Sequence, residues 1–177
     1  MESCRKDICY IYTDGSCYAG HEEKLGGTGF VMWYYDSFGD IVRELKVRKG
    51  YSFTTNSRME MRAVIMALES LKNPLSKSVV IVMDSEFFYN AIKSGSYIEW
   101  LNNPSCWGDS KAKKKNKDLW ERFNNIYSKM DKEKITFVHT KGHGKGQPEH
   151  KEGNDAVDKI VSYLTFNNFT KDGINIK

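Results

Sequence analysis

From Ile8 to Thr13 apolar and polar side chains alternate among β-prone residues, the period-two pattern of a strand with two different faces. Thr28 to Tyr35 predicts a second strand. Ile41 to Tyr51 predicts a third, with Leu45 and Val47 set against Lys46 and Arg48, so that one face is wet. Gly26-Gly27 and Ser37-Phe38-Gly39-Asp40 read as short turns between them, which suits an antiparallel meander. At Ser57 the period lengthens to that of a helix and holds to about Lys72, before Asn73-Pro74. Val79 to Met83 is uninterrupted apolar sequence, as in a parallel strand covered on both faces. A helix from Ser85 to Lys93 follows, then an irregular stretch from Gly95 to Lys117. Leu119, Phe123, Ile126 and Met130 mark another amphipathic helix, and Ile135, Phe137 and His139 a fifth strand. A Gly-rich loop from Lys141 to Gly153 leads to a last helix, Asn154 to about Leu164. This order predicts one mixed α/β domain over residues 8–165. Residues 1–7 read as a short tail, and residues 166–177 as a polar tail that should be loosely held.

Composition narrows the class without choosing a function. With 177 residues, 40% apolar and 28% charged, the chain can bury one good core and is neither disordered nor fibrous. No apolar run approaches the ~20 residues of a membrane helix, and Met1 to Asp7 holds no apolar signal core. A cytoplasmic monomer with no membrane and no obligate protein partner is the expectation. Cys4, Cys9, Cys17 and Cys106 lack the paired spacings of a zinc site and should be free thiols. The net charge of +4 permits nucleic acid as a partner but does not imply it.

Three acids stand at places where chemistry is commonly sited. Asp14, before Gly15, reads either as a turn aspartate or as an acid just past a strand. Asp84 ends the apolar strand, at the edge where open α/β sheets place their sites, though it could also cap the following helix. Glu60 is more informative. On the wheel defined by Val64, Ala67, Leu68 and Leu71 it lies about 30° from the centre of the apolar face, so a carboxylate points at the core. A buried ion is costly unless paired or bound to a metal. Acids converging from three elements raise one another's pKa unless a cation neutralises them, and hard oxygen ligands suit Mg²⁺ or Mn²⁺ rather than zinc.

Tyr12-Thr13-Asp14-Gly15-Ser16-Cys17, Thr54-Thr55-Asn56-Ser57-Arg58-Met59-Glu60 and Met83-Asp84-Ser85 resemble, in order, the first three blocks of type 1 ribonuclease H. Asp118-Leu119-Trp120, Lys141-Gly142-His143 and Gly153-Asn154-Asp155-Ala156-Val157-Asp158 resemble later ones, so that the resemblance spans Ile8 to Leu164. It implies a five-stranded mixed sheet, three antiparallel strands then two parallel, flanked by helices. It also implies hydrolysis of the RNA strand of an RNA/DNA hybrid by two Mg²⁺ ions, with Mn²⁺ as a substitute, leaving 5′-phosphate and 3′-hydroxyl ends. Carried over by position, Asp14, Glu60, Asp84 and Asp158 would be metal ligands and His143 a loop histidine assisting proton transfer or product departure. Gly15, Cys17, Asn56 and Ser57 would face the RNA strand, and Thr55 a DNA-strand phosphate. Lys111, Lys113, Lys114, Lys115 and Lys117, with Trp100 and Trp107, resemble the family's basic protrusion, whose bland reading is a solvated loop.

Asp155 competes with Asp158 as the fourth ligand. On the wheel of Val157, Ile160, Val161 and Leu164, Asp158 lies about 110° from the apolar centre and Asp155 about 170°, which favours Asp158. The chain departs from the family pattern at Glu86, where Gln is common, and in the length of the loop from His143 to Asp158, which resembles retroviral ribonuclease H domains. The competing function is a hybrid- or double-stranded-RNA-binding module with weak catalysis, and the clustered acids argue against it.

Overall fold

The computed structural model describes residues 6–108, 114–141 and 147–173. Three long strands, β1 (Ile8–Tyr18), β2 (Leu25–Tyr35) and β3 (Ile41–Ser52), form the antiparallel meander. β4 (Ser78–Met83) lies parallel to β1, and β5 (Ile135–His139) parallel to β4. A parallel partner cannot be reached by a hairpin, so the chain crosses over through helix α1 (Asn56–Ser70) before β4. The spatial order is β5-β4-β1-β2-β3-β6, in which β6 (Thr170–Lys171) is a sixth strand added parallel to β3 at Tyr51 and Ser52.

The alternation seen in sequence becomes two cores. Cys9, Ile11, Phe30, Met32, Val79, Ile81 and Met83 point to one face, under α1, α2 (Glu86–Ser94), α3 (Ser96–Asn102) and α4 (Lys117–Tyr127). Tyr12, Val31, Trp33, Val80 and Val82 point to the other, under Val157 and Val161 of α5 (Lys151–Val161). β4 therefore buries both its faces, as its continuous apolar run predicts.

Several boundaries differ from the sequence expectation. β1 runs past Thr13 to Tyr18, and Gly26-Gly27 lies inside β2 rather than in a turn. The polar, Gly-rich stretch pairs because Asp14 faces Gly29 and Gly15 faces Thr28 in the ladder, a register that alternation cannot reveal. The turn reading of Asp14 is thereby removed. The stretch after Gly95 contains α3, and α1 ends at Ser70, with Thr55 as N-cap. The final helix starts at Lys151 rather than Asn154 and ends at Val161. It includes Gly153, where a Cβ would lie 2.3 Å from the Tyr12 ring, so glycine lets the helix sit on that aromatic.

The C-terminal segment is also not loose as far as Gly173. Asp172 is buried beside α1, and β6 holds it there. A two-residue strand carries no periodic signal, so the expected five-stranded sheet has six strands. Cys9, Cys17 and Cys106 are free, as expected, and no helix of the described residues is long and apolar enough to cross a membrane.

Candidate active site

β1 and β4 are adjacent and parallel with Tyr12 opposite Val82, and Asp14 and Asp84 each lie two residues beyond that pair. Both acids thus reach the same sheet edge. Thr13 locks this register by donating its hydroxyl to the Val82 carbonyl at 3.0 Å. Glu60 arrives from one turn inside α1. The approach is unusually close: a Cβ on Gly15 would lie 2.2 Å from the Met59 carbonyl carbon and 2.3 Å from the Glu60 nitrogen. Thr28 fastens the same turn from β2, its hydroxyl donating to the Met59 carbonyl at 2.6 Å. Gly15, read from sequence as a substrate contact, is buried beneath α1 and sets the Asp14–Glu60 approach.

Because the clash would be with backbone, Gly15→Ala has no side chain to push aside. We expect it to lose about 1–3 kcal/mol of stability and to lower kcat by ~10-fold or more through a displaced Glu60. Chemical denaturation and turnover at saturating substrate check this, and unchanged values for both would remove the constraint.

The acids share one field. Burial, then the Asp84 charge, pushes the Asp14 carboxyl up to about 7; Asp158 and Glu60 add to the rise, and the Gly15 N–H, 2.7 Å from Oδ1, opposes it. Glu60 is raised by burial and then by Asp84, with a hydrogen bond from Ser85 acting against the shift. The Asn56 amide also donates to Glu60 Oε1 at 2.6 Å. On α5, Asp158 is exposed and contributes to the Asp14 field, whereas Asp155 is paired with Lys151 at 2.6 Å.

Among the described residues no three His, Cys, Asp or Glu side chains are arranged to hold a metal ion as they stand. Donor chemistry nonetheless fits a hard cation. Asp14 and Glu60, raised first by burial and then by the neighbouring Asp84 charge, are oxygen donors in a crowd of negative charge that a divalent ion would relieve.

The model of the RNase H family matches residues 6–164. The ribonuclease H of Clostridium botulinum (strain Hall) is 35% identical over 157 residues, which cover 85% of this chain and 95% of that protein. The chain belongs to the ribonuclease H family. That of Prosthecochloris aestuarii is 40% identical over 168 residues, covering 93% and 99%. Among solved structures, the PFV RNase H domain matches with a TM-score of 0.65 at 25% identity, covering 86% of this chain and 91% of that one. LC9-RNase H1, a type 1 RNase H with the type 2 active-site motif, matches with a TM-score of 0.67 at 22% identity, covering 89% and 76%. The enzyme is therefore a ribonuclease H, an endonuclease for the RNA strand of RNA/DNA hybrids, and its family generally uses divalent metal ions.

Around the acids of this ribonuclease H, Thr55, Asn56 and Ser57 are exposed at the N-terminus of α1, where backbone N–H groups and the helix dipole favour a phosphate. Cys17 lies at the end of β1, partly buried, its thiol 3.6 Å from the Thr54 carbonyl. Trp100 and Trp107 are both half-buried, and the Trp107 indole N–H donates to the Trp100 carbonyl at 2.8 Å. Lys114 lies with Nζ 4.3 Å from the Trp100 ring centroid, while Lys115 is exposed. Lys111, Lys113 and His143 lie outside the described residues. Glu86 is exposed at the start of α2, two residues from Asp84.

Two features escape a reading of sequence alone. Phe87, half exposed, stacks on Trp100 with centroids 5.8 Å apart and extends the aromatic surface. Its place right after Glu86 was the available signal. The other is the charge cluster under the start of α1. Arg58 is only 2% exposed and holds Asp118 with two bonds of 2.8 and 2.7 Å and Asp172 with two of 2.8 and 2.9 Å. Arg62 also pairs with Asp172, and Thr54 donates to it at 2.6 Å. A single acid in a polar tail gives no hint of such a partner.

Proposed function

We propose that Asp14, Glu60, Asp84 and Asp158 are the ligands of two Mg²⁺ ions, replaceable by Mn²⁺, in the hydrolysis of hybrid RNA. The observation that carries this reading is the shared field at one sheet edge, in which Asp14 is raised to about 7 by burial and then by Asp84, with Asp158 and Glu60 adding to it. When bound, such ions supply Lewis acidity for an attacking water and for the leaving 3′-oxygen, giving 5′-phosphate and 3′-hydroxyl products. The chain's own part is placement. β1 and β4 carry Asp14 and Asp84, the Gly15 contact brings Glu60 against them, and Ser85 and Asn56 orient the Glu60 carboxylate. His143 is assigned proton transfer or product departure.

Exposed Asn56 and Ser57, with Cys17 near the end of β1, are assigned to the RNA strand, and Thr55 to a DNA phosphate. A hybrid is told from DNA by 2′-hydroxyls in its shallow minor groove. Trp100, Trp107, Lys113, Lys114 and Lys115 are assigned to the DNA strand. The chain is read as a cytoplasmic monomer whose catalytic domain starts at residue 8 and takes in β6 and Asp172 beyond the expected end at 165.

The test is cleavage of matched RNA/DNA, RNA/RNA, DNA/DNA and single-stranded RNA, with divalent ion and with excess chelator. Cutting confined to the RNA of the hybrid and abolished by chelator is expected. Hybrid binding with negligible cutting in either metal would restore the binding-module alternative.

The lysine cluster divides by the role of each side chain. The double change Lys113→Ala with Lys115→Ala is expected to raise KM, leave kcat near the parent, and flatten the log–log salt slope by about one per lost phosphate contact. Lys114→Ala differs, because its ammonium lies over the Trp100 ring. It should also lose about 0.5–2 kcal/mol of stability. An unchanged slope in the double variant would return the cluster to a solvated loop.

A further inference from the structure

We propose that His139 is a positioning residue for Asp84, holding that acid through its main-chain carbonyl. The last rung of the β4–β5 ladder pairs Met83 with His139, and Thr140 N–H closes it on the Met83 carbonyl at 3.0 Å. The first bond of α2 runs from Tyr89 N–H to the Ser85 carbonyl at 2.9 Å. The Asp84 carbonyl therefore lies one residue past the ladder and one residue before the helix, at the bend that aims the carboxylate.

His139 Nε2 lies 3.2 Å from that oxygen. A carbonyl can only accept, so the ring nitrogen facing it carries the proton and donates. The imidazole is itself held from the side by the Tyr89 ring of α2, with centroids 5.7 Å apart and planes at 30°. Lys93, one turn further along α2, has its ammonium 5.7 Å from the Tyr89 ring centroid, which braces the stack. One side chain from β5 thus spans strand and helix at the bend.

The consequence reaches two acids. Asp84 is followed at once by Ser85, whose side chain hydrogen-bonds Glu60. A bend that drifts by a few tenths of an ångström moves the Asp84 carboxylate and loosens Glu60 together. The inference rests on the reading of Asp84 as a metal ligand. Groups that orient metal ligands from behind commonly matter 10- to 100-fold in affinity or activity.

Phenylalanine and glutamine separate the two things the imidazole does. His139→Phe keeps a ring on Tyr89 and removes the donor, whereas His139→Gln places an amide N–H where Nε2 stands and removes the ring. His139→Met, with neither, serves as a second donor-free variant should the Phe protein fold poorly. In the full chain, Mg²⁺ and Mn²⁺ affinity is measured by calorimetry without nucleic acid, and kcat and KM on a hybrid at saturating metal. The expected result is a roughly 10-fold weaker metal affinity and a kcat lower by about the same factor in the Phe and Met proteins, KM close to the parent, and restoration by Gln. Overturning results are a Phe protein equal to the parent, or a Gln protein as impaired as the Met one, since either makes the ring a packing element only. Asp84→Asn is run alongside. If it binds the ions as tightly as the parent, the metal-ligand reading of Asp84 fails, a failure distinct from that of His139.

Discussion

Asp14→Asn, Glu60→Gln and Asp84→Asn are each expected to lower kcat by ~10³ or more, the cost of losing a main electrostatic stabiliser, while the chain stays folded. For Asp14 the expectation has a second half. Its carboxyl is pushed up to about 7 by burial and then by Asp84, so ionising it opposes the fold. A raised carboxylate stabilises the folded state most below its unfolded value of about 3.9 and loses that contribution as pH rises towards its folded value. In metal-free buffer above pH 7 the charge is therefore a burden, and Asp14→Asn should raise the unfolding temperature while turnover collapses. Removal of the repulsion is on the order of a few kcal/mol at most, one pKa unit being ~1.4 kcal/mol. Added divalent ion should narrow the gap by stabilising the parent more than the variant. A variant with normal turnover, or one destabilised in chelator at pH 8, would take Asp14 out of the shared field.

The fourth ligand is decided by a paired assay in the same series. Asp158→Asn should cripple hydrolysis, because Asp158 contributes to the Asp14 field. Asp155→Asn should keep most activity and cost at most ~1 kcal/mol, because Asp155 is an exposed partner of Lys151 four residues away. The reverse outcome would exchange the two assignments.

The second large effect lies away from the acids at the sheet edge. Asp172→Asn is expected to remove ~3 kcal/mol or more, the cost of leaving a buried charge short of its partner, from a total of about 5–15 kcal/mol. The side chain of Asp172 is wholly buried between Arg58 and Arg62, with Thr54 donating to it. Burial alone would raise its pKa, but the hydrogen bonds from Arg58, Thr54 and Arg62 outweigh that and hold the carboxyl far below the usual carboxylate range. A lowered folded pKa contributes stability above the unfolded value of about 3.9, lost as pH falls further. The stability gap between parent and variant should thus be constant from pH 5 to 8 and close in stronger acid. Urea denaturation across that range measures it, with an unchanged m-value as the sign that the same fold is being compared. A gap under ~1 kcal/mol at pH 7 would mean that the cluster is no stronger than an exposed pair.

This clamp bears on the site through α1. Arg58 follows Ser57 and precedes Met59-Glu60, so Asp172 and Asp118 hold from below the same turn whose upper side presents Thr55, Asn56 and Ser57. A destabilised clamp should therefore raise KM before it alters the chemistry, since β1, β4 and the Gly15 contact still place the acids.

What the amino-acid order determined by itself was chemical identity and local period. The blocks around Asp14, Glu60 and Asp84 stand in family order, the Val79–Met83 run announces a strand buried on both faces, and the α1 wheel turns Glu60 inward; each is written in neighbouring residues. The tertiary structure decided what depends on partners far along the chain. Pairing with Gly29 and Thr28 makes Asp14-Gly15 a strand rather than a turn. Packing of Gly15 on Met59 sets how closely two acids approach, and burial, then the charge of Asp84, moves Asp14 to about 7. Asp172 is one acid in a polar segment until Arg58, 114 positions earlier, closes on it. Period and motif report what a residue is and which way its own element turns it. Burial, charge coupling and closure of an ion network are sums over contacts that only the folded chain brings together.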